Sequence, residues 1–234
     1  MMKLSIVMPV LDEAAEIETA LSALVPYRQR GVEVIVADGG SSDATPELAR
    51  PLADRVIAAP RGRSLQMNAG AAAAQGDVLL FLHADTQLPE NADGLVLDGL
   101  ARSGSAIHRT WGRFNVRFDG GGLLRVVAAT MNLRSRLTGI ATGDQALFMT
   151  RAAFECAGGF PPIALMEDVA LSARLKRAGK PLALRARVTT SARRWRAQGT
   201  LRTVLLMWRL RLAYYFGSDP NGLAKAYGYA GSED

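Results

Sequence analysis

Cysteine is nearly absent from this chain, and its scarcity removes several classes of protein. The 234 residues contain one cysteine, Cys156, which excludes an internal disulfide framework and a cysteine-based zinc cluster. We expect it to be an inert core thiol in a protein of a reducing compartment. Glycine-rich nucleotide loops are lacking too. No GxGxxG follows the first apolar run, which disfavours a dinucleotide-binding Rossmann domain, and no Walker A sequence is present.

Long apolar runs are also missing. The N-terminal stretch MMKLSIVMPVLDE is interrupted by Pro9 and Asp12 and lacks a small-residue cleavage site, so it predicts a first strand and no signal peptide. Residues 200–216 are barely long enough to span a bilayer and hold three arginines, so no transmembrane helix is expected there. Their arginines point in different directions and predict no clean amphipathic stripe. Docking on anionic lipid and packing on protein both remain open.

Acidic residues are missing from one long segment. Between residues 169 and 218 there are twelve Lys or Arg and no Asp or Glu, although the whole chain has a net charge of only +6. The rest of the chain is mildly acidic, with 16 basic residues against all 22 acidic ones. Such a basic segment favours contact with phosphate, on a nucleotide or on a lipid surface. Nucleic acid is not expected, because no nucleic-acid-binding motif accompanies the charge.

Alternating apolar strands and helices predict an α/β fold. The expected elements are strand 4–10, helix 13–25, strand 32–38, helix 45–53, strand 55–59, helix 64–75 and strand 77–82. This order predicts βαβ units in a mostly parallel, Rossmann-like sheet flanked by helices. Hydrophobic residues make up 49% of the chain, enough for one domain with a full core and an appendage.

Three of these strands lead into acidic residues. The first reaches Asp12 and Glu13, the second ends on Asp38, and the apolar run 78–82 leads straight into His83-Ala84-Asp85. Ligands of parallel sheets bind at the carboxyl ends of the strands. Asp85 could hold a divalent cation or a ribose hydroxyl there, or only cap the following turn. Three acid-ended strands together indicate a site.

Two further charged groups stand at predicted helix starts. Arg61 and Arg63 precede the alanine-rich helix 64–75, where guanidinium groups and free backbone N–H groups suit a diphosphate; two solvated arginines are the alternative. The acidic pair Glu167-Asp168 begins another helix. It could supply a catalytic base, or it could only complement the helix macrodipole.

Four segments together resemble a known family. In order and spacing, PVLDE, VADGGSSDAT, RGRSLQMNAGA and FLHADT are similar to family 2 glycosyltransferases with the GT-A fold, the nucleotide-diphospho-sugar transferase fold. The likeness is greatest to a small bacterial branch with H-A-D in place of D-x-D. It implies a GT-A domain at 1–190, with a nucleotide-sugar half at 1–88 and an acceptor half at 89–190, and a basic helical extension at 191–234.

The resemblance implies a donor site. Asp38 would bind the base or ribose of a nucleotide-sugar, Arg63 its diphosphate, and Asp85 an Mg²⁺ or Mn²⁺ ion bridging the diphosphate oxygens. Imidazole at His83 suits Mn²⁺ better than Mg²⁺, so the identity of the metal stays open. Asp12 stands where asparagine is more usual. The implied donor-binding residues are Pro9, Asp12, Glu13, Asp38, Arg63, His83, Ala84 and Asp85, with Asp85 and His83 as metal ligands.

Catalytic and acceptor roles are implied in the same way. Asp168 would be the general base, with Glu167 beside it, and one in-line displacement would invert the anomeric configuration. The loop with Asp144 and Gln145 would line the acceptor site, although Asp144 could equally be a turn residue. The pair Arg194-Trp195 is similar to the R-W of processive members, without their glutamine, and would approach the diphosphate or the acceptor.

The expected activity is transfer of a sugar from a nucleotide-sugar, UDP-linked, to a lipid, saccharide or small-molecule acceptor. The expected location is the cytoplasm, where residues 191–216 could dock on the inner face of an anionic membrane or pack on protein. A predicted strand, glycine-rich turn and helix between 103 and 138 would form an acceptor-side insertion. A catalytically silent nucleotide-sugar or membrane-surface binding protein is an alternative. So is a sugar nucleotidyltransferase, although its N-terminal GxGxR is absent.

Overall fold

The computed structural model describes residues 2–102 and 110–228, which form one eight-stranded sheet and its flanking helices. The strands are β1 (Leu4–Val10), β2 (Glu33–Asp38), β3 (Arg55–Ala58), β4 (Val78–Phe81), β5 (Thr86–Gln87), β6 (Trp111–Phe118), β7 (Leu147–Thr150) and β8 (Leu182–Thr190). The helices are α1 (Ile17–Ser22), α2 (Val25–Gln29), α3 (Thr45–Ala49), α4 (Arg63–Ala73), α5 (Ala92–Ala101), α6 (Leu123–Thr138), α7 (Arg151–Cys156), α8 (Glu167–Ala178), α9 (Arg193–Gln198), α10 (Thr200–Tyr215) and α11 (Pro220–Tyr227).

The first four strands form the predicted parallel sheet. The strand order is β3-β2-β1-β4-β7-β6-β8-β5, and β1 pairs in parallel with both β2 and β4. Alternate residues of β1 enter different core clusters: Ile6 packs with Val34, and Val7 packs with Ile35. Both faces are therefore covered, which is why these strands are apolar throughout. The loops after β1, β2 and β4 consequently meet at one edge.

The second half of the sheet is mixed. Strand β7 runs antiparallel to β4 and β6, β8 runs parallel to β6, and the short β5 closes the edge antiparallel to β8. The predicted strand, glycine-rich turn and helix of the 103–138 region are confirmed as β6, residues 119–122 and α6. The sheet is therefore parallel on the side predicted to bind the nucleotide and mixed beyond it.

Two predictions about local structure were wrong. The predicted helix 13–25 is two short helices, because Pro26 lies in the first turn of α2, where its missing N–H is harmless. Cys156 is exposed in the last turn of α7, although we expected it in the core. The apolar residue that α7 buries is Phe154, two positions earlier, so the cysteine lies off the packed face.

The alanine-rich helix α4 packs very close to the sheet. A Cβ atom on Gly70 would collide with the side chain of Val7 in β1, so the close approach requires glycine. This contact fixes the start of α4, and therefore Arg63, relative to the carboxyl end of β1.

The last two helices are part of the packed structure. Leu210 of α10 and Leu223 of α11 are buried in one cluster with Leu165 and Met166, which lie immediately before α8. The predicted extension therefore supports the turn that leads into Glu167-Asp168. No helix among residues 2–102 and 110–228 is long and apolar enough to cross a membrane.

Candidate active site

A cavity of about 700 Å³ opens at the carboxyl edge of β1 and β4. Residues from distant parts of the chain line one end of it, and most of them carry charge. They come from the loops after β1 and β4, the start of α4, the loop before β7 and the start of α8. The charged and polar residues predicted from the sequence that line this end are Glu13, Arg63, His83, Asp85, Asp144, Glu167 and Asp168.

Asp168 is held rigidly at the start of α8. Its Oδ2 accepts the backbone N–H of Gly143 at 2.7 Å, and its Oδ1 accepts that of Val169 at 2.6 Å. Met166, two residues earlier, has a left-handed backbone with φ of 70°, which is unusual for a residue with a side chain. Such strain costs roughly 1–3 kcal/mol and concentrates at functional sites. The turn aims the carboxylate into the cavity.

Glu167 lies beside Asp168 but is buried. Its carboxylate is 3.7 Å from the Arg63 guanidinium. Burial, together with the negative charge of Asp168, raises the pKa of Glu167 to about 7, although Arg63 opposes the shift. Glu167 therefore exchanges its proton near neutral pH, while its position ties α8 to the start of α4.

Replacing Glu167 with glutamine should change how stability depends on pH. Because the folded-state pKa of Glu167 lies above the ordinary 4.5, its contribution to stability is fully present below about pH 4.5 and is lost as pH rises through about 7. The unfolding free energy of the wild type minus that of Glu167→Gln should decrease by about 1–3 kcal/mol as the pH rises from about 4.5 to about 7. Urea denaturation at several pH values measures it. Glu155→Gln, at an exposed position of α7, is the control and should follow the wild type.

His83 contacts the loop before β7. Its Nδ1 is 3.6 Å from Asp144 Oδ1, and its ring packs against Gly143. Burial would raise the pKa of Asp144, but the hydrogen bond and charge of His83 outweigh it and hold that pKa below its usual value. The loop therefore joins three of the predicted residues, since Gly143 also donates to Asp168.

A methyl group at Gly143 should disturb this arrangement. The added Cβ would lie 2.6 Å from His83 Nε2, so the imidazole would have to rotate away. We expect Gly143→Ala to lower turnover by about tenfold to a hundredfold, because small misplacements of reacting groups are costly. Steady-state kinetics and thermal unfolding measure the two effects. Gly121→Ala, where a Cβ meets nothing within 4 Å, is the matched control. Equal turnover in both variants would contradict the expectation.

Asp85 and His83 offer a carboxylate and an imidazole to a cation. Both line the cavity, and Asp85 is exposed. Among the residues that the structure describes, no three His, Cys, Asp or Glu side chains group together as a metal site. A carboxylate with an imidazole suits Mn²⁺ more readily than Mg²⁺.

Four other predicted donor residues lie around this end. Asp12 joins the loops after β1 and β2, because its Oδ1 accepts the N–H of Ser42 at 2.7 Å. Buried Asp38, the last residue of β2, accepts the N–H of Gly40 in the turn that follows it at 3.0 Å. Neither is among the residues that line the cavity. Pro9 pairs with Ala37 in the sheet, and Ala84 packs against the core.

Glu13, which lines the cavity, is half-buried. Burial raises its pKa, although the charge of Arg193 opposes the shift.

The predicted acceptor residues separate into two groups. Asp144 and Trp195 line the cavity, and Trp195 packs edge-on against Phe118 at 5.1 Å. Gln145 is fully buried and completes a capping box with Thr142, so it shapes the loop from beneath. The side chain of Arg194 lies outside the described part of the structure.

Three arginines at the site were missed from the sequence. Arg193 of α9 and Arg211 of α10 line the cavity, and Arg134 of α6 lies close enough to interact with the charges of Arg211 and Asp168. Burial and the charge of Arg211 lower the pKa of Arg134 to about 10. The one signal in the sequence was that Arg211 points away from Arg202 on its helix. A similar signal for Arg134 was absent.

A mostly parallel sheet with helices on both faces and an acidic, arginine-containing cavity at its carboxyl edge is the architecture of GT-A glycosyltransferases. The chain belongs to the family described as glycosyl transferase family 2, whose profile matches residues 5–156. The predicted family and fold are therefore confirmed. No curated protein sequence matches the chain.

Solved structures show the same fold at low sequence identity. The chain is similar to Staphylococcus aureus TarS 1–349, with a TM-score of 0.67 and 18% identity over 82% of this chain and 61% of that one. It is similar to the mannosyltransferase PcManGT from Pyrobaculum calidifontis, with a TM-score of 0.62 and 18% identity over 97% of this chain and 69% of that one. It is also similar to glucosyl-3-phosphoglycerate synthase from Mycobacterium tuberculosis, with a TM-score of 0.56 and 21% identity over 81% of this chain and 69% of that one. The chain spans only 61% of the TarS fragment.

Proposed function

We propose that this chain is an inverting glycosyltransferase that moves a sugar from a UDP-linked donor to an acceptor hydroxyl. The observation that supports this most is the position of Asp168. Its carboxylate is fixed by two backbone N–H groups in the same cavity that contains Arg63, His83 and Asp85. One cavity thus holds a base for an acceptor and positive charge for a departing diphosphate.

Arg63 would act on the leaving group. Breaking the bond between the anomeric carbon and the diphosphate oxygen builds negative charge on the phosphate, and a guanidinium stabilises that charge. Asp85 and His83 would hold the divalent cation, which adds further neutralising charge when it is bound. Asp38, Asp12 and the other predicted donor residues would shape the nucleoside end from the neighbouring loops.

Asp168 would act on the acceptor. As the hydroxyl oxygen bonds to the anomeric carbon, its proton passes to the Asp168 carboxylate, and the diphosphate leaves from the opposite face of the sugar. One displacement of this kind inverts the anomeric configuration. Asp144 and Trp195, which line the cavity nearby, would orient the acceptor.

The choice of UDP is supported by the structural neighbours. TarS has been crystallised with UDP-GlcNAc, and glucosyl-3-phosphoglycerate synthase with UDP and Mn²⁺. PcManGT was solved with GDP-Man and Mn²⁺, so the proposal must be tested against guanine donors as well.

A panel of UDP- and GDP-sugars, each with Mn²⁺ or Mg²⁺, tests the proposal. Binding is measured by calorimetry, and release of nucleoside diphosphate by a coupled assay with and without acceptor extracts. We expect tight binding of at least one UDP-sugar and release that needs the cation. A donor that binds without any release would favour a silent binding protein. Failure of every donor to bind would reject the transferase.

A further inference from the structure

Exposed apolar side chains are concentrated on two helices. Within residues 2–102 and 110–228, the large apolar side chains that remain exposed all lie on α6, on α10 or at the end of α10. They are Leu123, Val126, Leu133, Leu137, Leu201, Leu205, Trp208, Leu212, Tyr215 and Phe216. Scattered exposed apolar residues are ordinary, but a set confined to neighbouring helices marks an interaction surface.

On α10 these residues share one face. At about 100° per residue, positions 201, 205, 208, 212 and 215 fall along a single stripe. Leu205 is 70% exposed and Trp208 is 71% exposed, so the stripe faces solvent and not the protein core. The helix as a whole has no clean amphipathic stripe, as predicted, because its opposite face, with Leu206 and Leu210, is apolar too and packs on the protein. Exposed Arg202 and Arg209 border the stripe, so apolar and cationic side chains lie next to each other on the solvent-facing surface of α10.

The apolar surface is continuous with the active-site cavity. Leu123 and Val126 of α6, and Leu201 and Trp208 of α10, line the cavity and are exposed as well. The cavity thus has a charged end around Asp168 and an apolar mouth between the two helices. A molecule that fills both ends has a polar group at the carboxylate and a hydrocarbon part between α6 and α10.

We propose that the exposed faces of α6 and α10 form a docking surface for an anionic bilayer, and that the acceptor is an amphiphile that enters the cavity from that bilayer. The nature of the acceptor rests on the proposed glycosyltransferase activity, whereas the docking itself does not. Burial of the apolar stripe provides affinity, and the arginines beside it attract anionic head groups.

The charge of this surface favours lipid over a second copy of the chain. A symmetric dimer would bring the same surface of both subunits together. Residues 169–218 contain twelve Lys or Arg and no acidic residue, so α10 would meet its own positive charge. A dimer would also cover the mouth through which an acceptor must enter.

Vesicle flotation tests the docking surface. The chain is mixed with vesicles of phosphatidylcholine containing a minority of phosphatidylglycerol, or of phosphatidylcholine alone. We expect it to float with the anionic vesicles and Leu205→Glu to lower the bound fraction at least about tenfold, because the variant places a charge in the apolar stripe. Ala72→Glu, which adds the same charge at an exposed position of α4, should bind like the wild type. Equal binding of both variants, or a dimer that Leu205→Glu dissociates without any vesicle binding, would overturn the proposal.

Fluorescence quenching tests whether lipid reaches the cavity mouth. Phosphatidylcholine brominated on its acyl chains should quench the tryptophan emission of the bound chain, and Trp208→Phe should remove most of that quenching. Vesicle binding without Trp208-dependent quenching would show that lipid does not enter here. Binding of UDP-sugar in solution is scored separately. A chain that binds vesicles but no donor would refute the proposed enzyme and leave docking intact, and the reverse result would refute docking alone.

Discussion

Asp168→Asn should bind its nucleotide-sugar normally and transfer the sugar about 10²- to 10⁴-fold more slowly, the range expected when a general base is lost. Asparagine keeps the shape and can still accept the N–H of Gly143 through its amide oxygen. It cannot take up the acceptor proton. The turnover number should therefore fall while the dissociation constant of the donor changes little. Steady-state kinetics and calorimetry measure the two quantities.

Two controls separate a base from a structural carboxylate. Asp98→Asn changes the same atoms at an exposed position of α5 and should leave turnover and thermal stability unchanged. Glu167→Gln alters the buried neighbour and should cost less turnover than Asp168→Asn. If Asp168→Asn retains turnover similar to Asp98→Asn, another group is the base.

Arg63→Met should lower kcat/KM for the nucleotide-sugar by about 10²- to 10³-fold, because the guanidinium would stabilise the charge of the departing diphosphate. The variant also leaves the buried carboxyl of Glu167 without the cation that lies 3.7 Å away. Stability should therefore fall together with activity. Arg61→Met, two residues earlier at an exposed position outside the cavity lining, should have neither effect.

A double variant distinguishes the two consequences of losing Arg63. In Arg63→Met with Glu167→Gln, the buried group is neutral, so its unpaired charge no longer destabilises the protein. We expect thermal stability to recover towards the wild type while kcat/KM stays low. Recovery of both quantities would mean that Arg63 acts only by neutralising Glu167.

Much of the nucleotide side of the fold follows from the sequence. Strands buried on both faces are continuous apolar runs, so β1, β2 and β4 could be predicted from the sequence. Their parallel order brings the acidic residues at their carboxyl ends to one edge of the sheet. The pairing of β7 between β4 and β6 depends on contacts between residues far apart in the chain, which local patterns do not encode.

The same limit explains what was missed in the site. Asp38 ends β2 and Asp168 lies at the start of α8, and the sequence marks both. Asp38 bonds to the turn that follows it and does not line the cavity, whereas Asp168 does. Arg211 enters the cavity because α10 packs back against the turn before α8, a tertiary contact that no spacing shows. The exposed stripe of α10 was missed because the opposite, packed face of the helix is apolar as well, so the sequence shows no single amphipathic face.

The packing of α10 and α11 against Leu165 and Met166 has a consequence for when the site around Asp168 is completed during synthesis. Residues 200–227 are synthesised after Asp168 and the other predicted residues of the cavity lining, and they add Arg211 to that lining. A nascent chain that ends before them can already pair β1, β2, β3 and β4 and form the nucleotide side. It lacks Leu210, Leu223 and Ala224, which pack in one cluster with Met166, the residue with the left-handed backbone. Asp168 would reach its working position only once translation has passed these helices, so no transfer would occur on the unfinished chain.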